Sequence, residues 1–230
     1  MALNNRYSVP TGTAAGFASL AGSSGLTAGE MYYLSDTKAL MVALTTSTYV
    51  QLNGIGRHSA WMPAGVWAGG KGGNPSAAWS EIDCGTSDLA LGVWSFDTTT
   101  QEYINGYIAM PKGWDQATIS FTPHWTNRAG ATTQTVQWGL GASYVLDSDA
   151  LGGIAATTYA TSVDTWLAQL DAHIGPESSA ISIQGNTPGG AACGVALQFT
   201  RMVAGTDNMA GDADFIGALV HLNYNAATDN

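Results

Sequence analysis

Residues 103–126 constrain this chain more than any other stretch. They read Tyr-Ile-Asn-Gly-Tyr-Ile-Ala-Met-Pro-Lys-Gly-Trp-Asp-Gln-Ala-Thr-Ile-Ser-Phe-Thr-Pro-His-Trp-Thr. Two β-prone runs flank a Pro-Lys-Gly-Trp-Asp turn. Turn signals also bracket the whole: Asp97-Thr-Thr-Thr before it and Asn127-Arg-Ala-Gly after it. The stretch carries almost no charge and no plausible catalytic group. It reads as the wall of a β-sandwich built to pack, which points away from an enzyme and toward a structural or binding role.

The same texture continues from Leu89 to the end of the chain. Strand-like runs occupy residues 91–96, 102–110, 117–125, 135–146, 157–163, 180–183, 194–202 and 215–224. Several alternate with period two. Ile119 and Phe121 face one way, as do Val195, Leu197 and Phe199. No long helical periodicity is present; residues 162–170 could supply one short helix, though Thr and Trp there favour extended chain. About eight strands punctuated this way predict an all-β fold, with a C-terminal jelly-roll or β-sandwich over residues 89–230.

The first 56 residues differ. Residues 11–29 are rich in Gly, Ala, Ser and Thr, with little to bury, and read as an extended arm or linker. Three short β-prone runs follow (31–34, 39–43 and 48–52), the first two separated by a turn at residues 35–38. They predict a small N-terminal β-meander, an attachment segment too small to stand alone. A hinge is expected at residues 53–56. Residues 57–88 read as a Trp/Gly-rich connecting loop, with Trp61, Trp67 and Trp79 as pegs among glycines and prolines.

Charge narrows the function. Only 10% of residues are charged, against about 25% in ordinary soluble domains. Surface charge keeps monomers soluble, so a chain this poor in it is expected to bury surface against copies of itself or a larger assembly. The net charge is −10. Arg6, Lys38, Glu30 and Asp36 are the only charged residues before position 57, so residues 1–56 are neutral and the whole excess lies beyond. No Lys/Arg stripe exists to displace counterions from phosphate, which argues against nucleic acid and against an anionic membrane surface. No apolar run approaches the ~18 residues of a membrane-spanning helix, and the N-terminus lacks an apolar signal core. Cys84 and Cys193 are expected as reduced thiols of a protein made in cytosol, with a bridge between them left open.

Catalytic and metal chemistry find little footing. His58, His124, His173 and His221 are spaced too far apart to suggest a zinc site. Asp147, Asp149, Asp207, Asn208, Asp212 and Asp214 could offer hard oxygens to Ca²⁺, but Asx residues in turns are the commoner explanation. Glu102 with Asp97, or Glu81 with Asp83, could be proposed as glycosidase carboxylates, yet each is flanked by turn residues. No Gly-x-Ser-x-Gly elbow and no dinucleotide fingerprint occurs. The reading is a non-enzyme with no cofactor and no metal. Trp94, Trp125 and Trp138 sit inside apolar strands and are expected in the core. Trp61, Trp67, Trp79 and Trp114 sit in loops and, with Tyr32, Tyr33 and Tyr49 of the meander, are the expected interface residues.

Several blocks occur in one order: Phe96-Asp-Thr-Thr-Thr-Gln-Glu-Tyr, Met110-Pro-Lys-Gly-Trp-Asp, Phe121-Thr-Pro-His-Trp-Thr, Val136-Gln-Trp-Gly-Leu, Gly175-Pro-Glu-Ser-Ser-Ala-Ile-Ser-Ile and Asn225-Ala-Ala-Thr-Asp. Together they resemble a family of tailed-phage virion structural proteins. Residues 25–52 resemble a short β module near the start of phage fibre and spike proteins. The resemblance implies a homotrimeric fibre, spike or capsid decoration protein of the virion. It would be anchored to a capsid or tail protein through residues 1–56 and would display a jelly-roll head, with a host surface glycan or protein as a further partner. The alternative is a carbohydrate-binding or polysaccharide-depolymerising jelly roll.

Overall fold

A computed structural model describes residues 10–35, 39–51, 56–71, 75–85, 88–111, 113–131, 133–189 and 193–224. The chain divides into two compact units. One comprises Met1–Arg57, Gly113–Asp115 and Asn223–Asn230; the other comprises His58–Lys112 and Gln116–Leu222. The turn expected at residues 35–38 falls largely outside the described residues, as does the hinge expected at 53–56.

In the first unit, β1 (Thr11–Gly12) is followed by a helix, α1 (Ala14–Gly22), and then by β2 (Met31–Leu34), β3 (Ala39–Ala43) and β4 (Tyr49–Gln51). The strands form one sheet in the order β1-β2-β3-β4, with β1 parallel to β2 and the other pairs antiparallel. The meander of β2, β3 and β4 follows the sequence expectation. The arm expected over residues 11–29 is corrected: its middle is helical. The Ala and Leu in Ala-Ala-Gly-Phe-Ala-Ser-Leu-Ala-Gly are strong helix formers. Thr13 caps the helix, its Oγ1 accepting from the Gly16 N–H at 3.2 Å. Helix formation puts Phe17 and Ala21 on one buried face with Leu26, Tyr32, Leu34, Met41 and Ala43. Phe17 meets the Tyr32 ring at 5.2 Å and the Tyr49 ring at 4.8 Å.

The second unit is a β-sandwich. Its strands are β5 (Gly56–Pro63), β6 (Ala68–Gly69), β7 (Ala78–Asp83), β8 (Ala90–Phe96), β9 (Tyr103–Met110), β10 (Thr118–Asn127), β11 (Thr135–Val145), β12 (Tyr159–Thr165), β13 (His173–Ile174), β14 (Ile181–Ser182), β15 (Cys193–Arg201) and β16 (Ala213–Tyr224). One sheet runs β13-β10-β16-β8-β7, with β14 added on β10 and β5 on β16; the other runs β12-β11-β15-β9-β6. Within them, β8-β16-β10-β13 facing β9-β15-β11-β12 is the strand order of a jelly roll. The all-β, jelly-roll expectation therefore holds. Residues 159–165 are extended, not helical.

Residues 57–88 are corrected from a connecting loop to sandwich strands. β5 and β7 bury Met62 and Ile82, and the residues between them bury Ala64, Trp67 and Ala77. Glycines in partner strands make room for the tryptophans. A Cβ on Gly217 would strike Trp61, one on Gly106 would strike Trp67, and one on Gly92 would strike Trp79. The pegs are real, but their holes lie in other strands of the same unit.

Inward positions of both sheets meet in an aromatic core. Phe96, Phe121, Trp125, Trp138, Phe199 and Phe215 are fully buried. Trp138 stacks on Phe199 at 5.3 Å, and Phe199 meets Phe215 at 4.2 Å. Burial of each such ring contributes about 1.5–3 kcal/mol. Trp94 packs edge-on against Trp79 and donates from Nε1 to the Ala64 carbonyl at 2.9 Å.

Candidate ligand site

The outward face of the β12-β11-β15-β9-β6 sheet carries the site. Side chains alternate across a strand, so register decides who shares this face. Tyr159 of β12 lies opposite Gly141 of β11, Gly141 opposite Gln198 of β15, Gln198 opposite Asn105 of β9, and Asn105 opposite Ala68 of β6. One row of the pleat therefore reads Tyr159, Gly141, Gln198, Asn105, Ala68. On one side of it, Thr200 pairs with Tyr103; on the other, Ala196 pairs with Tyr107.

Hydrogen bonds run along that row. The Tyr159 hydroxyl donates to Gln198 Oε1. Gln198 Nε2 donates to Asn105 Oδ1 at 3.1 Å, and Asn105 Nδ2 reaches the Gly69 carbonyl at 3.4 Å. The amides are thus held in fixed orientations. Burial, and then the neighbouring Tyr103 phenol, push Tyr159 up to about 12. Its hydroxyl stays protonated near neutral pH and keeps its role as donor.

A pocket of about 400 Å³ opens above this row, between Tyr103 and Tyr159, with Gln198 at its base. Residues 154–157 form its wall. Glycine on the sheet makes that wall possible, because a Cβ on Gly141 would press on Ala156 and the Tyr159 ring. Gln184 fixes the wall: its Oε1 accepts from the backbone N–H of Thr157 at 2.6 Å and of Thr158 at 3.2 Å. The volume suits a small ligand. The pocket offers two phenols, a carboxamide and the Thr157 hydroxyl, and no carboxylate, ammonium or guanidinium.

Two other cavities are less equipped. One of about 270 Å³ in the first unit is lined mainly by Pro10, Phe17, Leu20, Tyr32, Tyr33 and Leu34. One of about 460 Å³ lies on the opposite sheet of the sandwich, where Ile82, Leu91, Leu170, Ala172 and Ile216 dominate. The first adds Thr11 and the second Asp83, Cys84 and Thr126 to these apolar linings, and neither holds a carboxamide.

The structure separates the tyrosines and tryptophans proposed from sequence as interface residues. Tyr32, Trp67 and Trp114 are buried within the protein and are withdrawn as surface anchors. Tyr33 is half-buried. Tyr49, Trp61 and Trp79 are exposed at 44%, 45% and 49%, yet each rests on a neighbour of its own: Phe17, His124 and Trp94 respectively. The residues that do converge, Tyr103, Asn105, Tyr159 and Gln198, were not singled out from sequence. Their signal was present as the outward phase of the alternation in β9 and β15.

The carboxylates proposed for Ca²⁺ or hydrolysis serve local structure. Asp97 Oδ1 accepts from the Thr99 and Thr100 N–H groups at 2.7 and 2.6 Å, and these bonds hold Asp97 down at about 2. Glu102, pushed up by burial, accepts from the Asp97 N–H at 2.8 Å. Asp83 accepts from the Gly85 N–H, and Asp149 from the Leu146 N–H. Asp207 pairs with the buried Arg201 at 2.8 Å, and Asn208 Oδ1 accepts from the Thr135 N–H. Asp214 bonds Ser95 and Arg128. Among the described residues, no three His, Cys, Asp or Glu side chains are grouped to hold a metal. Asp164 contacts His173 at 3.6 Å, His173 stacks on Trp125, and His173 Nε2 has no hydrogen-bond partner. Cys84 and Cys193 are free thiols.

No protein-family model matches this chain, and no curated protein sequence matches it. Among solved structures it is similar to three carbohydrate-binding modules. The family 11 module of Clostridium thermocellum, in complex with a β-1,3-1,4-mixed-linked tetrasaccharide, is 13% identical with a TM-score of 0.38. That match covers 74% of this chain and 96% of the module. A module specific for non-crystalline cellulose is 11% identical with a TM-score of 0.36, over 69% of this chain and 87% of its own. A module in complex with β-1,4-galactotriose is 11% identical with a TM-score of 0.31, over 73% and 88%. Likenesses this distant carry no weight for function, which rests on the pocket itself.

Proposed function

We propose that this protein binds neutral glycans, without turnover, in the pocket between Tyr103 and Tyr159. The observation that carries the reading is the uncharged hydrogen-bonded row of Tyr159, Gln198 and Asn105, beside a pocket that Tyr159 and the half-buried Tyr103 both line. A sugar presents hydroxyls that both donate and accept, together with apolar C–H faces. Fixed amides and phenols answer the first need, and aromatic rings answer the second. An acidic sugar would meet no cation here and would approach a chain of net charge −10.

The test is titration of the full chain against a panel of neutral and uronic-acid or sulfated polysaccharides, with release of reducing ends followed in parallel. Binding to neutral members, with no release, is expected. Gln198→Ala and Tyr159→Phe should each weaken it about tenfold or more while thermal stability holds. Preference for acidic members, or no binding at all, would overturn the reading.

Display on a virion is a second proposal, which the division into two units favours. The first unit has its own core around Phe17 and Tyr32, as an attachment module would need. A homotrimer on a capsid or tail would multiply weak glycan contacts into durable ones. If particles assembled without residues 1–56 still incorporated the protein, that placement would be wrong.

A further inference from the structure

Tyr107 is the most exposed aromatic side chain of the sandwich, at 58%, and it is held in an unusual way. Gly194 of β15 is buried, although it lies on the outward face of the sheet. What covers it is the Tyr107 ring: a Cβ on Gly194 would collide with the Tyr107 hydroxyl and ring carbons. The hydroxyl end of the ring therefore lies over backbone, where only glycine leaves room, while much of the residue is open to solvent. An exposed tyrosine ordinarily swings through several rotamers. This one has its far end laid over Gly194.

Its position relative to the pocket is set by register. Gln198 pairs with Asn105, and Tyr107 follows two residues later on the same face. Gln198 and Tyr107 are thus diagonal neighbours whose backbones lie about 7–8 Å apart, and the Tyr107 ring leans away from Gln198, over Gly194. The ground between them is small: Ala196 lies opposite Tyr107, and the positions beside it on β11, Gly141 and Ser143, are small and buried. The outward positions of β9, β11, β12 and β15 carry no Asp, Glu, Lys or Arg. An uninterrupted neutral floor therefore leads from the pocket to the ring.

We infer that Tyr107 is a stacking platform for a second sugar position, so that the site takes a chain of neutral sugars rather than a single one. One end of the chain sits between Tyr103 and Tyr159, and a later ring rests on Tyr107. This rests on the glycan reading above and specifies its ligand class as a neutral oligosaccharide lying diagonally across β15 and β9. Fixing the ring in advance lowers the ordering cost of binding.

The experiment is calorimetric titration of the full chain with neutral glucan, galactan, mannan and xylan oligosaccharides, each from disaccharide to hexasaccharide. For the series that binds, affinity should rise at least about tenfold with length. Tyr107→Ala should abolish most of that rise, costing the hexasaccharide far more than the disaccharide. Gly194→Ala, which keeps the ring but forces it off the sheet, should do the same. Equal losses for short and long chains, or no loss in either variant, would overturn the platform and leave the glycan reading standing. If no series binds the wild-type chain, the glycan reading fails, and the platform with it.

Discussion

The tightest constraint at the scale of single residues is Arg201. It is fully buried and spends most of its guanidinium on the loop that follows β15, with Nη1 also reaching the Phe96 carbonyl of β8 at 3.4 Å. Nε and Nη2 grip both Asp207 oxygens at 2.9 and 2.8 Å, Nη2 also reaches the Met209 carbonyl at 2.7 Å, and Nη1 reaches the Gly211 carbonyl at 2.8 Å. Asp207 in turn accepts from the Gln137 N–H at 3.0 Å. Arg201→Ala would leave a buried, uncompensated carboxylate and should cost about 3–5 kcal/mol in urea unfolding. Arg201→Lys should recover little of it, because an ammonium cannot match the planar fork. His124 is the residue whose titration the fold opposes. Its Nε2 is buried without a partner and its ring lies edge-on to Trp61 at 4.8 Å. Burial holds it below the usual histidine value of 6.5. The unfolded chain thus takes up a proton before the folded one does. The stability that His124 supplies above about pH 6.5 is lost as pH falls toward the folded-state value. Thermal unfolding between about pH 7 and pH 5 should show the decline, and His124→Gln should flatten it.

Among the elements, α1 depends most on one local bond. Thr13→Ala removes the side-chain acceptor from the Gly16 N–H and should destabilise the first unit by about 1 kcal/mol. Hydrogen exchange at residues 14–22 should quicken while exchange in β10, β11 and β15 stays unchanged. The same helix shows where sequence reasoning stops. Its apolar content is Ala, Phe17 and Leu20, and its glycines and serines are those of a linker. Tyr32, Leu34, Met41 and Tyr49, brought from later strands, give Phe17 something to bury against. β10 and β15 were legible because their own alternation encodes two environments. β5, β6 and β7 were not, because their tryptophans are accommodated by Gly217, Gly106 and Gly92, which no local window contains. The candidate site was illegible for the same reason. Asn105 and Gln198 are 93 residues apart and become neighbours only through the pairing of β9 with β15. The carboxylates that sequence made conspicuous are mostly turn-formers, while the groups that converge are neutral amides and phenols that no motif marks.

For the molecule as a whole, the placement of charge matters more than its amount. The chain is at −10, yet the trough on the β12-β11-β15-β9-β6 sheet is free of Asp, Glu, Lys and Arg at its outward positions. Hydrogen bonds between neutral groups do not involve counterions, so binding there should ignore ionic strength. Affinity for a neutral oligosaccharide should change by less than about twofold between about 0.01 and 1 M salt, although the Debye length shrinks from about 30 to about 3 Å over that range. Acidic polysaccharides should behave oppositely. The net negative field repels them at low salt, and any weak binding should appear only as salt screens that field. Titration at both ionic strengths separates the two cases. A steep loss of neutral-glycan affinity with salt would mean that charged groups outside the trough dominate recognition, and the row of Tyr159, Gln198 and Asn105 would then not be what the ligand reads.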